Sequence, residues 1–223
     1  MSDEFKPNFE PMFDFGFAEK EKHISMFVAN KITVLTPDEA TKALALGYKQ
    51  VTGSAPNKTI LGLLVGQAAL ETGNFKSIHN YNFGNVRGTA PDGKWTSFRA
   101  GEGFGTGEQI LEADSSEQSK NKFRAYDDAA HGAADYVRIL KSRPHWWAGL
   151  QSQDPRTFVS ALSTFPAYFT ANPAVYGPVL IERMTHYLPE IKKYASSGVI
   201  AAIGAGLVAT GTYLAARNVM KKG

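Results

Sequence analysis

Ile60-Leu61-Gly62-Leu63-Leu64-Val65-Gly66-Gln67-Ala68-Ala69-Leu70-Glu71-Thr72-Gly73 reads as a helix with no solvent face. No residue from Ile60 to Leu70 is charged, and the apolar positions leave no polar stripe, which is the pattern of a helix buried on all sides. Asn57 suits the N-cap, and Gly73 suits a left-handed C-terminal cap. Glu71 is the first charge after the run. It stands where the desolvated helix meets a polar, Gly- and Asn-rich segment.

Outward from this helix the chain punctuates itself. Upstream, Thr36-Pro37-Asp38-Glu39 is a capping box with proline at the first helical position, and Gly47 follows Ala43, Leu44 and Leu46 as a stop. Residues 1 to 22 carry Phe5, Phe9, Phe13, Phe15 and Phe17 among prolines and charges with no helical period. They read as a flexible tail, or else as a docking peptide whose Phe side chains fill pockets on a protein partner. Downstream, from Asn74 to Lys122, the helical period is lost. Trp95-Thr96-Ser97-Phe98 and Gln109-Ile110-Leu111-Glu112, with Asp114-Ser115-Ser116 as a turn, predict a small β-hairpin lobe. Helices return with caps at Asp127, Asp154-Pro155 and Asn172-Pro173, the last run bent or divided by Pro178 and Pro189. Trp146-Trp147 reads as closing a helical core rather than as a sugar platform. The expected fold is mainly α: a helical-bundle core with a small β-hairpin lobe.

From Ala195 to Ala216 no residue is charged, and ~20 helical residues span a bilayer core. Lys192 and Lys193 flank the run on one side and Arg217, Lys221 and Lys222 on the other. Gly198, Ala202, Gly206 and Thr210 give it a small-residue face. A C-terminal transmembrane helix is therefore expected, dividing the chain into a tail (1–29), a domain (30–194), a span (195–216) and a basic end (217–223). The first thirty residues hold no apolar run of signal-peptide length.

Composition narrows the classes. A hydrophobic fraction of 43% with 20% charged residues argues against wholesale disorder. A net charge of +3 suits an anionic partner but does not indicate nucleic acid. The absence of cysteine excludes disulfides, thiolate zinc sites and cysteine nucleophiles. His79, His131, His145 and His186 fit no metal-ligand spacing, so neither metal nor cofactor is expected.

A glutamate near a helix end is usually a solvated residue. Partial burial at such a junction would raise its pKa and make it a proton donor near neutral pH. Four segments in order, QAALETGNF, YNFGNVRG, FRAYDDAAHGAADYVRIL and AYFTANPAVYGPVL, resemble the bacterial glucosaminidase family of the lysozyme superfamily, which includes flagellar-type muramidases and autolysins. The resemblance spans roughly residues 30 to 190. It implies a lysozyme-like α+β fold and cleavage of peptidoglycan glycan strands, with Glu71 as general acid. It further implies Tyr168 as a tyrosine near the cleaved bond, and Tyr176 supporting it or packed behind it. The Asn82-Phe83-Gly84 turn would floor the groove, with Phe83 in the core and Asn82 facing sugar. Phe123, Tyr126, Tyr136 and Val137 read as structural.

The family's second carboxylate falls on Glu112 or Glu108, with Glu112 favoured and Glu102 a third candidate. An inverting enzyme needs this group about 6.5–9.5 Å from the acid, and a retaining one needs it closer or uses the substrate's acetamido group. A lytic transglycosylase needs none. With the span, these features suggest an enzyme anchored in a virion membrane or bacterial envelope, phage-encoded or virion-associated and used to perforate the cell wall. The alternative is a catalytically silent glycan-binding or structural membrane protein on the same fold.

Overall fold

The computed structural model describes residues 25–99, 109–110, 122–164 and 173–196. Helix α1 (Pro37–Thr52) opens on the expected capping box. Thr36 Oγ1 accepts from the Glu39 amide at 3.2 Å, and the Glu39 carboxylate accepts from the Thr36 amide at 2.8 Å. The helix does not stop at Gly47. It continues to Thr52 and ends on Gly53, whose φ of 84° is left-handed. Gly47 is instead a point of backbone contact, because a Cβ there would lie 2.7 Å from the backbone of Ala133 and Ala134.

Helix α2 (Lys58–Glu71) starts on Asn57, whose Oδ1 accepts from the Ile60 amide at 2.9 Å. Every residue from Thr59 to Ala69 is buried, so it forms the centre of the core as its sequence predicts. Helix α3 (Ala129–Ser142) is capped by Asp128, one residue later than the sequence suggested; Asp127 pairs instead with Lys94. Helices α4 (Pro144–Gln151) and α5 (Pro155–Ser163) follow, the latter capped by Asp154 as expected. The last run is divided at Tyr187 into α6 (Pro173–His186) and α7 (Leu188–Tyr194), and Pro189 sits in the first turn of α7, where its missing N–H costs nothing. Pro178 lies early in α6 and leaves that helix intact.

Helix α1 packs along α3, α2 against α6, and α4 against α5. The approach of α6 depends on two small residues of α2. A Cβ on Gly66 would come within 2.9 Å of Leu180 Cδ1, and one on Gly62 within 3.0 Å of Met184. Trp146 is buried and Trp147 stacks on Tyr48 at 6.0 Å, both in the core role read for them.

The sheet is small. Strand β2 (Lys94–Arg99) is its centre and pairs antiparallel with β3 (Gln109–Ile110), Phe98 opposite Ile110. This pair falls within the expected hairpin. Two further strands were not foreseen. Strand β4 (Lys122–Arg124) runs antiparallel to β2, and β1 (Met26–Phe27) runs parallel to it with Phe27 beside Trp95. Met26 and Phe27 fall within the segment read as a tail up to residue 29, yet they are paired into the sheet. The fold is mainly helical with a small sheet, in keeping with the expected α+β class.

Ala195 and Ser196, the first two residues of the apolar C-terminal run, are tied to the domain. Ala195 has extended backbone, and the Ser196 amide donates to the Pro56 carbonyl at 2.9 Å. The rest of that run, from residue 197, lies outside the described residues, as do residues 1–24. No helix among the described residues is long and apolar enough to cross a membrane.

Candidate active site

Glu71 is the last residue of α2, and the backbone after it makes a tight reversal. Thr72 closes the helix with its amide and hydroxyl both on the Ala68 carbonyl, at 3.1 and 2.6 Å. Gly73, Asn74 and Phe75 then take φ values of 55°, 61° and 66°. A left-handed phenylalanine is costly. It is held because its ring is fully buried and its amide donates to Thr72 Oγ1 at 3.2 Å.

The terminal carbonyls of a helix lack intrahelical partners. The Glu71 carbonyl is satisfied from across the site: Asn85 Nδ2 donates to it at 2.6 Å. The turn that delivers Asn85 is pinned by Asn82, whose side-chain amide donates to the Val86 and Arg124 carbonyls at 3.0 Å each and accepts from the Val86 amide at 2.8 Å. Asn82 is 1% exposed, and its polar atoms are committed to backbone. It therefore does not face sugar as expected; it ties the turn to β4. Phe83 is in the core as read, and Gly84 is buried beside it.

The Glu71 side chain meets Tyr176, which α6 presents one turn before Leu180. The Tyr176 hydroxyl donates to Glu71 Oε1 at 3.3 Å. Burial raises the Glu71 carboxyl to about 7, and the Tyr176 bond opposes the rise only in part. Burial and the neighbouring Glu71 push the Tyr176 phenol far above its usual value, so it stays protonated. Among the described residues no cation shifts Glu71. The buried Asp135 differs, since it is held by Arg124 at 2.7 Å and Tyr126 at 2.6 Å. A carboxyl raised to about 7 at the end of an apolar helix, with no compensating cation among the described residues, has the chemistry of a proton donor near neutral pH.

Two further groups belong to this arrangement and were not singled out from the sequence. Gln67, one turn before Glu71, is fully buried and accepts a short hydrogen bond from the Tyr136 hydroxyl. Asn85 is the other. Tyr136 is buried as expected, but its hydroxyl reaches the site through Gln67. Glu108, Glu112, Glu102 and Tyr168 lie outside the described residues, so the structure brings together Glu71 and Tyr176 of the expected set. No cluster of His, Asp or Glu among the described residues could hold a metal ion.

Residues 55–188 match the glucosaminidase family, described as mannosyl-glycoprotein endo-beta-N-acetylglucosaminidase. Several solved structures are similar, among them three of different proteins. A peptidoglycan hydrolase from Sphingomonas sp. A1 has a TM-score of 0.47 at 22% identity, covering 75% of this chain and 100% of that one. A C-terminally truncated glycoside hydrolase domain of FlgJ from Salmonella typhimurium has 0.45 at 20%, covering 68% and 97%. The catalytic domain of the autolysin Auto from Listeria monocytogenes has 0.42 at 17%, covering 73% and 89%. No curated protein matches the chain in sequence. The family match runs from just before α2 into α7 and takes in more than half of the residues: the chain belongs to the glucosaminidase family.

Proposed function

We propose that this protein cleaves the glycan strands of peptidoglycan, with Glu71 as the proton donor to the departing sugar oxygen. The observation that carries the reading is the Glu71 carboxyl, raised to about 7 by burial and placed inside the matched family region. Glycosidic cleavage needs such a group, because the leaving oxygen departs poorly unless protonated. Glu71 gives its proton to the bridging oxygen as the bond from that oxygen to the anomeric carbon breaks. Water then adds to the anomeric carbon and its proton passes to a base, for which Glu112 or Glu108 is the candidate, with Tyr168 near the cleaved bond. If the sugar's own hydroxyl attacks instead, the product carries an anhydro ring.

Mass spectrometry of fragments released from purified sacculi separates these outcomes. Reducing-end N-acetylglucosamine, reducing-end N-acetylmuramic acid and anhydro ends mark glucosaminidase, muramidase and transglycosylase respectively. Release of peptides alone, with glycan strands intact, would sink the proposal.

The reading also includes a membrane anchor. Residues 197–216 still number about 20, enough for a span, and Lys192, Lys193 and Arg217 stand at its ends. An anchored enzyme would act on the wall from a virion membrane or bacterial envelope. Deletion of residues 197–223 should move the protein from the membrane to the soluble fraction; a truncated form that still sediments with membranes contradicts the anchor.

A further inference from the structure

Gln67 is the one long polar side chain in the buried stretch of α2, and it is 0% exposed. Burying an amide without partners is costly, so its surroundings bear on why it is there. It lies four residues before Glu71, on the same helix face. Its Oε1 accepts from Tyr136 of α3, and its Nε2 has no hydrogen bond of ordinary geometry among the described residues. The Gln67 side chain is close enough to Tyr176 to act on its hydroxyl and favours negative charge on the phenol oxygen. Tyr176 in turn donates to Glu71 Oε1.

We propose that Gln67 is a positioning residue: held at its carbonyl end by Tyr136, it directs the Tyr176 hydroxyl onto Glu71 and thereby selects the carboxyl oxygen that carries the transferable proton.

The directionality follows from donor inventory. With its Oε1 turned to the Tyr136 hydroxyl, the Gln67 amide has its N–H donors on the other side. A donor facing the phenol oxygen turns the phenol's single proton the other way, onto Glu71 Oε1. Glu71 Oε1 is then an acceptor, and in the neutral acid the proton resides on Oε2. Once that proton has left, the same chain of donors stabilises the carboxylate. Among the described residues, the titratable groups that act on this relay are Tyr176 from α6 and, behind it, Tyr136 from α3, while the neutral Asn85 takes the Glu71 backbone carbonyl. The close approach of α6 over Gly66 sets the span that this relay bridges.

The role assigned to Gln67 rests on Glu71 being the acid, but its test does not. The Glu71 carboxyl can be titrated by carbon-13 NMR in the full chain and in Gln67→Met, Tyr136→Phe and Tyr176→Phe, with thermal melts as the check of folding. Either of the first two substitutions breaks the relay, so one folded variant suffices. Each of the three should raise the Glu71 pKa by about 0.5–1 unit, about three- to tenfold in its ionisation constant. Adding Gln67→Met or Tyr136→Phe to Tyr176→Phe should give no further shift. An equal shift with and without the Tyr176 hydroxyl, or no shift in a folded variant, overturns the relay. Retained cleavage in Glu71→Gln would instead remove the acid assignment and leave the relay standing.

Discussion

Glu71→Gln is expected to lose about 10²- to 10⁴-fold in glycan cleavage, the range for removal of a general acid, while becoming more stable than the parent protein above neutral pH. The gain in stability follows from the same burial. The folded carboxyl titrates at about 7 against an ordinary value of 4.5. Below 4.5 both folded and unfolded chains hold the proton, and ionisation contributes no cost. As the pH rises, the unfolded chain loses its proton first, and the fold loses stability until the folded carboxyl also ionises near 7. Above that the cost levels off at up to about 3 kcal/mol. Glutamine carries no such cost. Melting curves of the two proteins should therefore coincide near pH 4 and separate by several degrees at pH 8. A constant offset at both pH values would mean that the carboxyl is not desolvated as described.

The largest structural effect is expected at Gly132. A Cβ there would lie 2.0 Å from the Tyr81 carbonyl oxygen, a backbone atom with little room to move. Asn80 and Tyr81 hold left-handed φ values of 45° and 56°, and the Asn80 side chain is bonded to Lys31 and Ala29. The Tyr126 amide also donates to the Asn80 carbonyl at 3.0 Å, which closes the other side. Gly132→Ala should destabilise the fold by about 3 kcal/mol or more, the upper range for overpacking. Gly53→Ala, with open space but a φ of 84°, should cost about 1 kcal/mol. Urea unfolding of both variants checks the ordering, and a Gly132→Ala protein as stable as the parent would refute the close contact.

These positions show where the sequence was readable. Helix starts were legible because caps are local chemistry: Thr36 with Glu39, Asn57 and Asp154 each bond within three residues. Between Asp127 and Asp128 the local pattern does not choose, and the ion pair to Lys94, more than thirty residues away, takes the first. Gly47 was misread because a helix stop and a helix contact both call for glycine, and the partner at Ala133 is distant in sequence. Strand β1 left no trace because two residues carry no alternation.

At the site, Glu71 was legible as a charge ending an apolar run, and Tyr176 through the family resemblance. Asn82 was expected to face sugar because a polar residue in a Gly-rich turn looks available; its amide is spent on Val86 and Arg124. Gln67 had a signal in its sequence spacing, one polar side chain four residues before Glu71 in a stretch otherwise without a long one. Its partner Tyr136 lies 69 residues away and could not be paired with it from spacing. Asn85 likewise depends on a left-handed φ of 47° that nothing local dictates.

The central claim is that the buried Glu71 carboxyl supplies the proton for glycan cleavage. It is tested most directly by following reducing-end release from purified sacculi between pH 5 and 9, with the parent protein and folded Glu71→Gln side by side. The parent rate should fall on a limb near pH 7 as Glu71 ionises, and the variant should remain near background throughout. A variant that releases reducing ends at the parent rate, with the same limb, would contradict the account.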